Sequence, residues 1–483
     1  MCAAPTISGP SENDAGWRAC ELQERELFKE GTAATISRRS FNATRLCSKS
    51  ELKEFSKNCS VKINCQTLLF ADLQAPAAPA RQRTHLTFKA NLSLGRHNWL
   101  RLTPAYSRHL VKRLVGSLGS RDRVLDPFCG TGTTALTCAE NGIHADTVDI
   151  NPFLVWLANS KFAAYTPEER AEAERFQARL RLPADKKAFW HPPLADIEKW
   201  WTKDELEPLS ALYNSIKEAK VSEAARNLLF SAFCRVAIET ASVSFGHQSM
   251  SFKLRTGDND LVKTCARDQI TGLFRRRLAE VLEAAATDLD GSLARAFLGD
   301  SRKLHATLRA KYTCVITSPP YPNRMSYIRE LRPYMYWLGY LHDGRQAGEL
   351  DWQAIGGTWG CATSNLMRWR PSEEARVPFA GFEQMIAGIH KSSEILARYV
   401  HKYFEDCVLH FRSLARVLRD GADVHYIVGN SKFYSVMVHT EEIYAALMRA
   451  CGFAEVRIEN IRKRNSKKEL FEFVVSGRFA QRP

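Results

Sequence analysis

The 483-residue chain contains no apolar run of the ~18 residues or more that a membrane-spanning helix requires. Its first residues, MCAAPTISGPSENDAGW, include early acids and lack an apolar core, which excludes a secretory signal. Its 13 cysteines include no CxxC and no paired Cys/His ligand spacing, so no zinc framework is readable. The odd count and the missing signal point to reduced thiols and a cytoplasmic location. Cys47, Cys59 and Cys65 form the one loose cluster, and no metal is expected there. No Lys-Ser/Thr pair follows the chain's main glycine-rich turn, which excludes a phosphate-binding P-loop. No internal repeat is evident.

Positive charge is present in surplus. The formal net charge of +15 favours encounter with phosphate backbones. Part of it is clustered, in Lys253, Arg255, Lys263, Arg267 and Arg275 to Arg277, and again in Arg457, Arg462, Lys463, Arg464, Lys467 and Lys468. A solubilising surface charge is the bland alternative.

Patterning divides the chain into four stretches. Residues 1–84 are weakly patterned, with short helix candidates at 21–29 and 48–57, and end in the linker-like QAPAAPARQR. Residues 85–164 alternate helix and strand: the helical AYSRHLVKRLVGSL, the strand RVLDPF, the turn and helix GTGTTALTCAENG, then the strand HADTVDI. Strand, glycine-rich turn, helix and strand make a βαβ unit and predict a parallel sheet. Residues 165–292 read as a helical insertion opening on a capping box at Thr166 to Glu169. Residues 293–483 return to strands at KYTCVITSPP, DVHYIVGNS, FAEVRIENI and ELFEFVVSG, the last two predicting an antiparallel hairpin. The fold class expected is α/β, a Rossmann-like sheet with a large helical insertion.

Two constellations carry chemistry. Asp126-Pro127-Phe128-Cys129-Gly130-Thr131-Gly132-Thr133-Thr134 ends a strand and opens a helix. Its glycines permit close backbone approach by a ligand, and the helix start offers free N–H groups. Asp149 ends the next strand, where an acid can bind ribose hydroxyls. With Ala135 at the third glycine position, a nicotinamide dinucleotide stays open as an alternative ligand. The second constellation is Thr317-Ser318-Pro319-Pro320-Tyr321, after the strand KYTCVI. Consecutive prolines stiffen the turn, so a carbonyl and the Ser318 hydroxyl can serve as paired acceptors for an amino group. Tyr321 supplies an aromatic face for a planar base. Cys314, just before the motif, is read as strand packing. Two polar patches, Ser242 to Gln248 and Arg464 to Lys467, are DNA or phosphate contacts or else a capping turn and a solvated loop.

Together these motifs resemble the amino-group DNA methyltransferases, DPFCGTGTT matching motif I and TSPPY the catalytic motif IV. The resemblance covers roughly residues 90–160 and 296–478. It implies S-adenosylmethionine as cofactor and double-stranded DNA as partner. The segment Arg96 to Trp99, followed by PAYSRHLVKRLV, resembles the one before motif I that closes over the methionine moiety, DINPF with Asp149 resembles motif II, and LGDS with Asp300 resembles motif III. The cofactor residues so implied are Trp99, Asp126, Phe128, Gly130, Gly132, Thr134, Asp149, Asp300 and Thr317. The catalytic ones are Ser318, Pro319, Pro320 and Tyr321. The SPPY form is most typical of N4-cytosine enzymes. Adenine N6, RNA guanine N2 and a catalytically silent DNA-binding subunit are the alternatives.

The order of parts resembles the α-type arrangement, with the helical insertion as candidate target-recognition region. It departs from it in that the insertion precedes Gly299-Asp300. A direct transfer to a flipped-out base is implied, with the proton leaving to water because Ser318 is a poor base. No trusted nuclease motif is present, so any cleavage falls to another protein; a partner restriction endonuclease, a stand-alone regulatory role and a phage-defence role all fit the chain.

Overall fold

The computed structural model describes residues 86–91, 95–100, 106–182, 190–244, 251–252, 266–323, 325–358, 360–464 and 469–480. The linker-like segment, the N-terminal helix candidates, the Cys47/Cys59/Cys65 cluster and the basic residues from Lys253 to Lys263 lie outside them. Among the described residues no helix is long and apolar enough to cross a membrane.

The first half of the sheet builds from β1 (Arg123–Asp126), α2 (Thr133–Ala139) and β2 (His144–Asp149), entered by α1 (Arg108–Leu114). α3 (Pro152–Phe162) starts where the Asn151 side chain accepts the Phe153 N–H and Pro152 takes a position that needs no amide donor. α4 (Pro167–Arg179) carries the capping box expected at Thr166 and Glu169. α5 (Lys203–Glu218), α6 (Glu223–Thr240) and α7 (Ala266–Ala285) complete a helical layer with its own apolar core, including Trp200, Trp201, Phe233 and Phe274. Within it Val243–Ser244 and Ser251–Phe252 form a small antiparallel pair.

β3 (Ala294–Leu298) and β4 (Tyr312–Thr317) resume the sheet, followed by α8 (Tyr327–Trp337). Between α8 and the next strand stand α9 (Gly344–Gln353), α10 (Cys361–Arg368), α11 (Phe382–His390) and the 22-residue α12 (Glu394–Ala415), a stretch to which sequence patterning assigned no element. β5 (Leu418–Gly429), α13 (Thr440–Ala450), β6 (Phe453–Lys463) and β7 (Phe471–Phe479) end the fold.

The seven strands lie in the order β6-β7-β5-β4-β1-β2-β3. β3, β2, β1, β4 and β5 pair in parallel, whereas β7 runs antiparallel to both β5 and β6. This is the expected mostly parallel, doubly wound sheet with an antiparallel hairpin at one edge. The order reverses between β1 and β4. At such a switch point the connections leave to opposite sides and open a crevice beyond the strand ends. The helical layer enters between β2 and β3, yet these strands are direct neighbours, and Gly299 N–H donates to the Asp149 carbonyl at 2.9 Å. The insertion therefore separates motifs II and III in sequence and not in space.

Candidate active site

The two strands at the switch point end on a shared carboxylate. Asp126, at the end of β1, is fully buried and accepts from the Thr317 hydroxyl at the end of β4 (2.6 Å), from the Phe128 N–H (3.1 Å) and from the Tyr106 hydroxyl (3.1 Å). Tyr106 also contacts the Thr134 hydroxyl, which donates to the Ile316 carbonyl. With no cation among these partners, burial pushes the Asp126 pKa up to about 7. Asp126, Thr134 and Thr317 thus lie behind the crevice wall and hold its two halves in register.

The glycine-rich turn leaves β1 over this network. Gly130 and Gly132 have φ of +52° and +76°, a region that side chains rarely tolerate. At Gly132 space is also lacking, because a Cβ would stand 3.0 Å from the Phe162 ring. The Asp149 carboxylate accepts the Gly130 N–H at 3.0 Å and the Asn151 N–H at 2.9 Å, and burial pushes its pKa up to about 6. Beneath the turn the buried Lys161 ammonium donates to the Thr131 carbonyl at 2.9 Å.

The crevice is one cavity, ≈ 990 Å³ with its mouth, and three walls meet in it. The first contributes Phe128, Gly130 and Asp149, the second Ser318, Pro319 and Pro320, the third Asp300, Tyr327 and the segment 351–357. Phe128 leans on the buried His410, ring centroids 4.9 Å apart. His410 Nδ1 lies 3.0 Å from the Ser301 carbonyl, which only accepts, so the proton sits on Nδ1 and Nε2 accepts from the Tyr426 hydroxyl at 2.6 Å. Burial lowers its pKa to about 4 and keeps it neutral.

The prolines are held from below. The Tyr403 hydroxyl donates to the Pro320 carbonyl at 2.7 Å, while Ser318 and Pro319 line the cavity beside it. Ser318 Oγ lies 3.4 Å from the Tyr321 hydroxyl, which donates to Glu472 at 3.0 Å. Glu472 in turn receives two bonds from Arg462, at 2.5 and 2.9 Å.

Several expected residues fall elsewhere than the cavity surface. Of the thirteen, Phe128, Gly130, Asp149, Asp300, Ser318, Pro319 and Pro320 line it. Tyr321 does not: its ring lies against Gly429, where a Cβ would come within 3.0 Å of it, and the Arg464 guanidinium sits 5.6 Å from its centroid. Trp99 is buried in the core of the helical layer, 6.1 Å from the Tyr165 ring, and its indole N–H has no partner among the described residues. Its neighbour Arg96 is a structural clamp, donating to the carbonyls of Lys161, Ala163, Ala284, Ala285 and Thr287 at 2.5 to 3.2 Å. Asp300 lines the cavity with its carboxylate engaged by Arg302 through both oxygens. Burial alone would raise its pKa, but Arg302 holds it below the ordinary value.

Of the two polar patches, Ser242 donates its N–H to the Trp200 carbonyl, and 245–250 lie outside the described residues. Arg464 is no solvated loop residue, since it covers Tyr321, while 465–468 are outside the described residues. Sequence reasoning quoted Tyr106 only within the segment PAYSRHLVKRLV and missed Tyr327, Asp351, Tyr403 and Glu472. These four belong to no local pattern: Tyr327 and Asp351 are marked by lining the crevice, Tyr403 and Glu472 by holding the turn beside it.

Comparison with known proteins follows the same lines. No family model matches the chain. The type II methyltransferase M.BsoBI of Geobacillus stearothermophilus is 21% identical over 452 residues, covering 83% of this chain and 86% of its own length. This chain is similar to a type II methyltransferase. M.AvaI of Nostoc, also named a type II methyltransferase, is 35% identical over 72 residues, 14% of this chain and 15% of its own. The rRNA methyltransferase aviRa from Streptomyces viridochromogenes aligns over 83% of this chain and 96% of its own, at 13% identity with a TM-score of 0.28, and that likeness carries no argument.

Proposed function

We propose that this chain is an S-adenosylmethionine-dependent DNA methyltransferase that modifies an exocyclic amino group, with cytosine N4 as target. The observation that carries the reading is that the glycine-rich turn with Asp149 and the Ser318-Pro319-Pro320 turn open into one cavity at the sheet's switch point. The relatives' names and the motif resemblance support it.

The cavity suits the cofactor by its chemistry. Among the described residues Asp149, Asp300 and Asp351 line it and no Lys or Arg does, which, even with Arg302 offsetting Asp300, suits a cationic sulfonium better than the phosphates of a dinucleotide. Phe128, Ile150 and Leu154 offer apolar surface for an adenosyl group, and Asp149 stands at the strand end where ribose hydroxyls bind. S-adenosylmethionine, when bound, supplies an activated methyl group that needs no further leaving-group assistance. The chain's own contribution is positioning. The Ser318 hydroxyl and the Pro319 carbonyl accept the two amino hydrogens. That draws the nitrogen lone pair out of ring conjugation and aims it at the methyl group. Ser318 can accept because its own proton points to Tyr321, and the amino proton leaves to water.

The helical layer, with Arg275 and Arg276 exposed on α7, is the proposed target-recognition region, and DNA its substrate. The reading places the enzyme in a restriction-modification or related defence system, with any cleavage assigned to a separate endonuclease.

Nucleoside mass spectrometry of DNA from a methylation-free host expressing the chain is the test. N4-methylcytosine that disappears with Ser318→Ala supports the reading. N6-methyladenine would overturn the base assignment alone, and the absence of any modified base would overturn the activity.

A further inference from the structure

We propose that Tyr327 contacts the flipped base, its hydroxyl donating to the ring nitrogen beside the target amino group, whereas Tyr321, expected from sequence to offer its ring face to the base, does not line the cavity. The inference rests on the methyltransferase reading above and names a base-contacting residue for it.

The surroundings of both tyrosines lead there. Tyr321 is committed: its hydroxyl donates to Glu472, its ring lies on Gly429 beneath Arg464, and it is absent from the cavity wall. Tyr327 lines the cavity together with Ser318, Pro319 and Pro320. Its oxygen accepts the Tyr321 N–H at 3.3 Å, which ties the ring to the catalytic turn. A phenol has one proton to give, and among the described residues Tyr327 has no acceptor for it. Burial raises the pKa of Tyr327 to about 12, so the group stays a neutral donor at working pH.

Its position is built rather than incidental. Tyr327 is the first residue of α8, after Ser326, whose hydroxyl accepts the Arg329 N–H and donates to the buried Asp351 at 2.5 Å. Asp351 belongs to the third cavity wall, so this bond ties the start of α8 to that wall. In cytosine and in adenine the carbon bearing the amino group is flanked by a ring nitrogen that only accepts. With Ser318 and the Pro319 carbonyl as acceptors and Tyr327 as donor, the site offers the complement of that amidine edge. A thymine, which has a carbonyl in place of the amino group and an N–H in place of the ring acceptor, meets the wrong group at both positions.

The test uses the full chain and a duplex carrying the site mapped in host DNA, with the target cytosine replaced by 3-deazacytosine (1-deazaadenine if the host DNA carries N6-methyladenine). The unaltered chain is expected to lose about tenfold in kcat/KM on the deaza duplex, the size of one lost hydrogen bond to a buried partner. Tyr327→Phe is expected to lose about the same on the natural duplex, and nothing further on the deaza duplex. Equal S-adenosylmethionine affinity in the two proteins shows the variant is folded. A purely structural Tyr327 would leave the deaza penalty intact in the variant, and that result overturns the inference, as does an unimpaired Tyr327→Phe. Absence of transfer by the unaltered chain overturns the methyltransferase reading and this inference together.

Discussion

Asp126→Asn isolates the buried carboxylate on which both halves of the crevice depend. Its folded pKa of about 7 lies above the ~3.9 of an unfolded chain. Stability from the protonated, buried form is therefore fully present below about pH 4 and is lost as pH rises through 7. From about pH 5 to about pH 8 the folded state is the better proton binder over roughly two units, which at ~1.4 kcal/mol per unit amounts to about 3 kcal/mol.

The amide cannot titrate, and the network can accommodate it. Its oxygen takes the donors from Thr317 and Phe128, while its NH₂ faces Tyr106, whose proton turns to Thr134. Urea unfolding at a series of pH values, followed by fluorescence of the buried Trp99, Trp200, Trp201 and Trp337, gives the stability of each protein. Other titrating groups, including Asp149 and Lys161, cancel in the difference between the two. The unaltered chain is expected to lose about 3 kcal/mol relative to the variant between those pH values. A flat difference would refute the raised pKa. A difference of opposite slope would show an ionised carboxylate stabilised by its three donors.

Arg96→Met removes every donor to five helix-end carbonyls while keeping an apolar stem, and a loss of about 3 kcal/mol or more in unfolding free energy is expected. Gly357→Ala would put a Cβ 1.7 Å from the Asp351 carbonyl oxygen, so segment 351–357 must shift. Calorimetry is expected to show S-adenosylmethionine binding weakened at least about tenfold, because this segment forms a cavity wall.

The elements adjoining the crevice were legible because their causes are local. The capping box at Thr166, the glycine-rich turn between β1 and α2, and the stiff turn after β4 each follow from a few adjacent residues. The stretch from α9 to α12 was not assigned, although α12 carries the amphipathic spacing of a helix. What that spacing does not show is that Glu405, Asp406 and His410 are buried among its apolar residues. Their partners explain the burial: Arg302 and Lys402 hold Asp406, and Ser301 and Tyr426 hold His410.

By itself, then, the sequence determined an alternating α/β chain, a glycine-rich ligand turn starting from Asp126 and answered by Asp149, and a rigid Ser-Pro-Pro turn. These depend on backbone preferences over short spans. Only the tertiary structure decided which of those side chains face the crevice. The sheet order places β1 beside β4, so Asp126 meets Thr317 across 191 positions and becomes a tie behind the wall. The same order brings Glu472 and Arg464 from the edge hairpin onto Tyr321, which leaves the cavity wall beside the prolines to Tyr327. Contacts of that range follow from strand neighbourhood, and strand neighbourhood is a property of the assembled sheet.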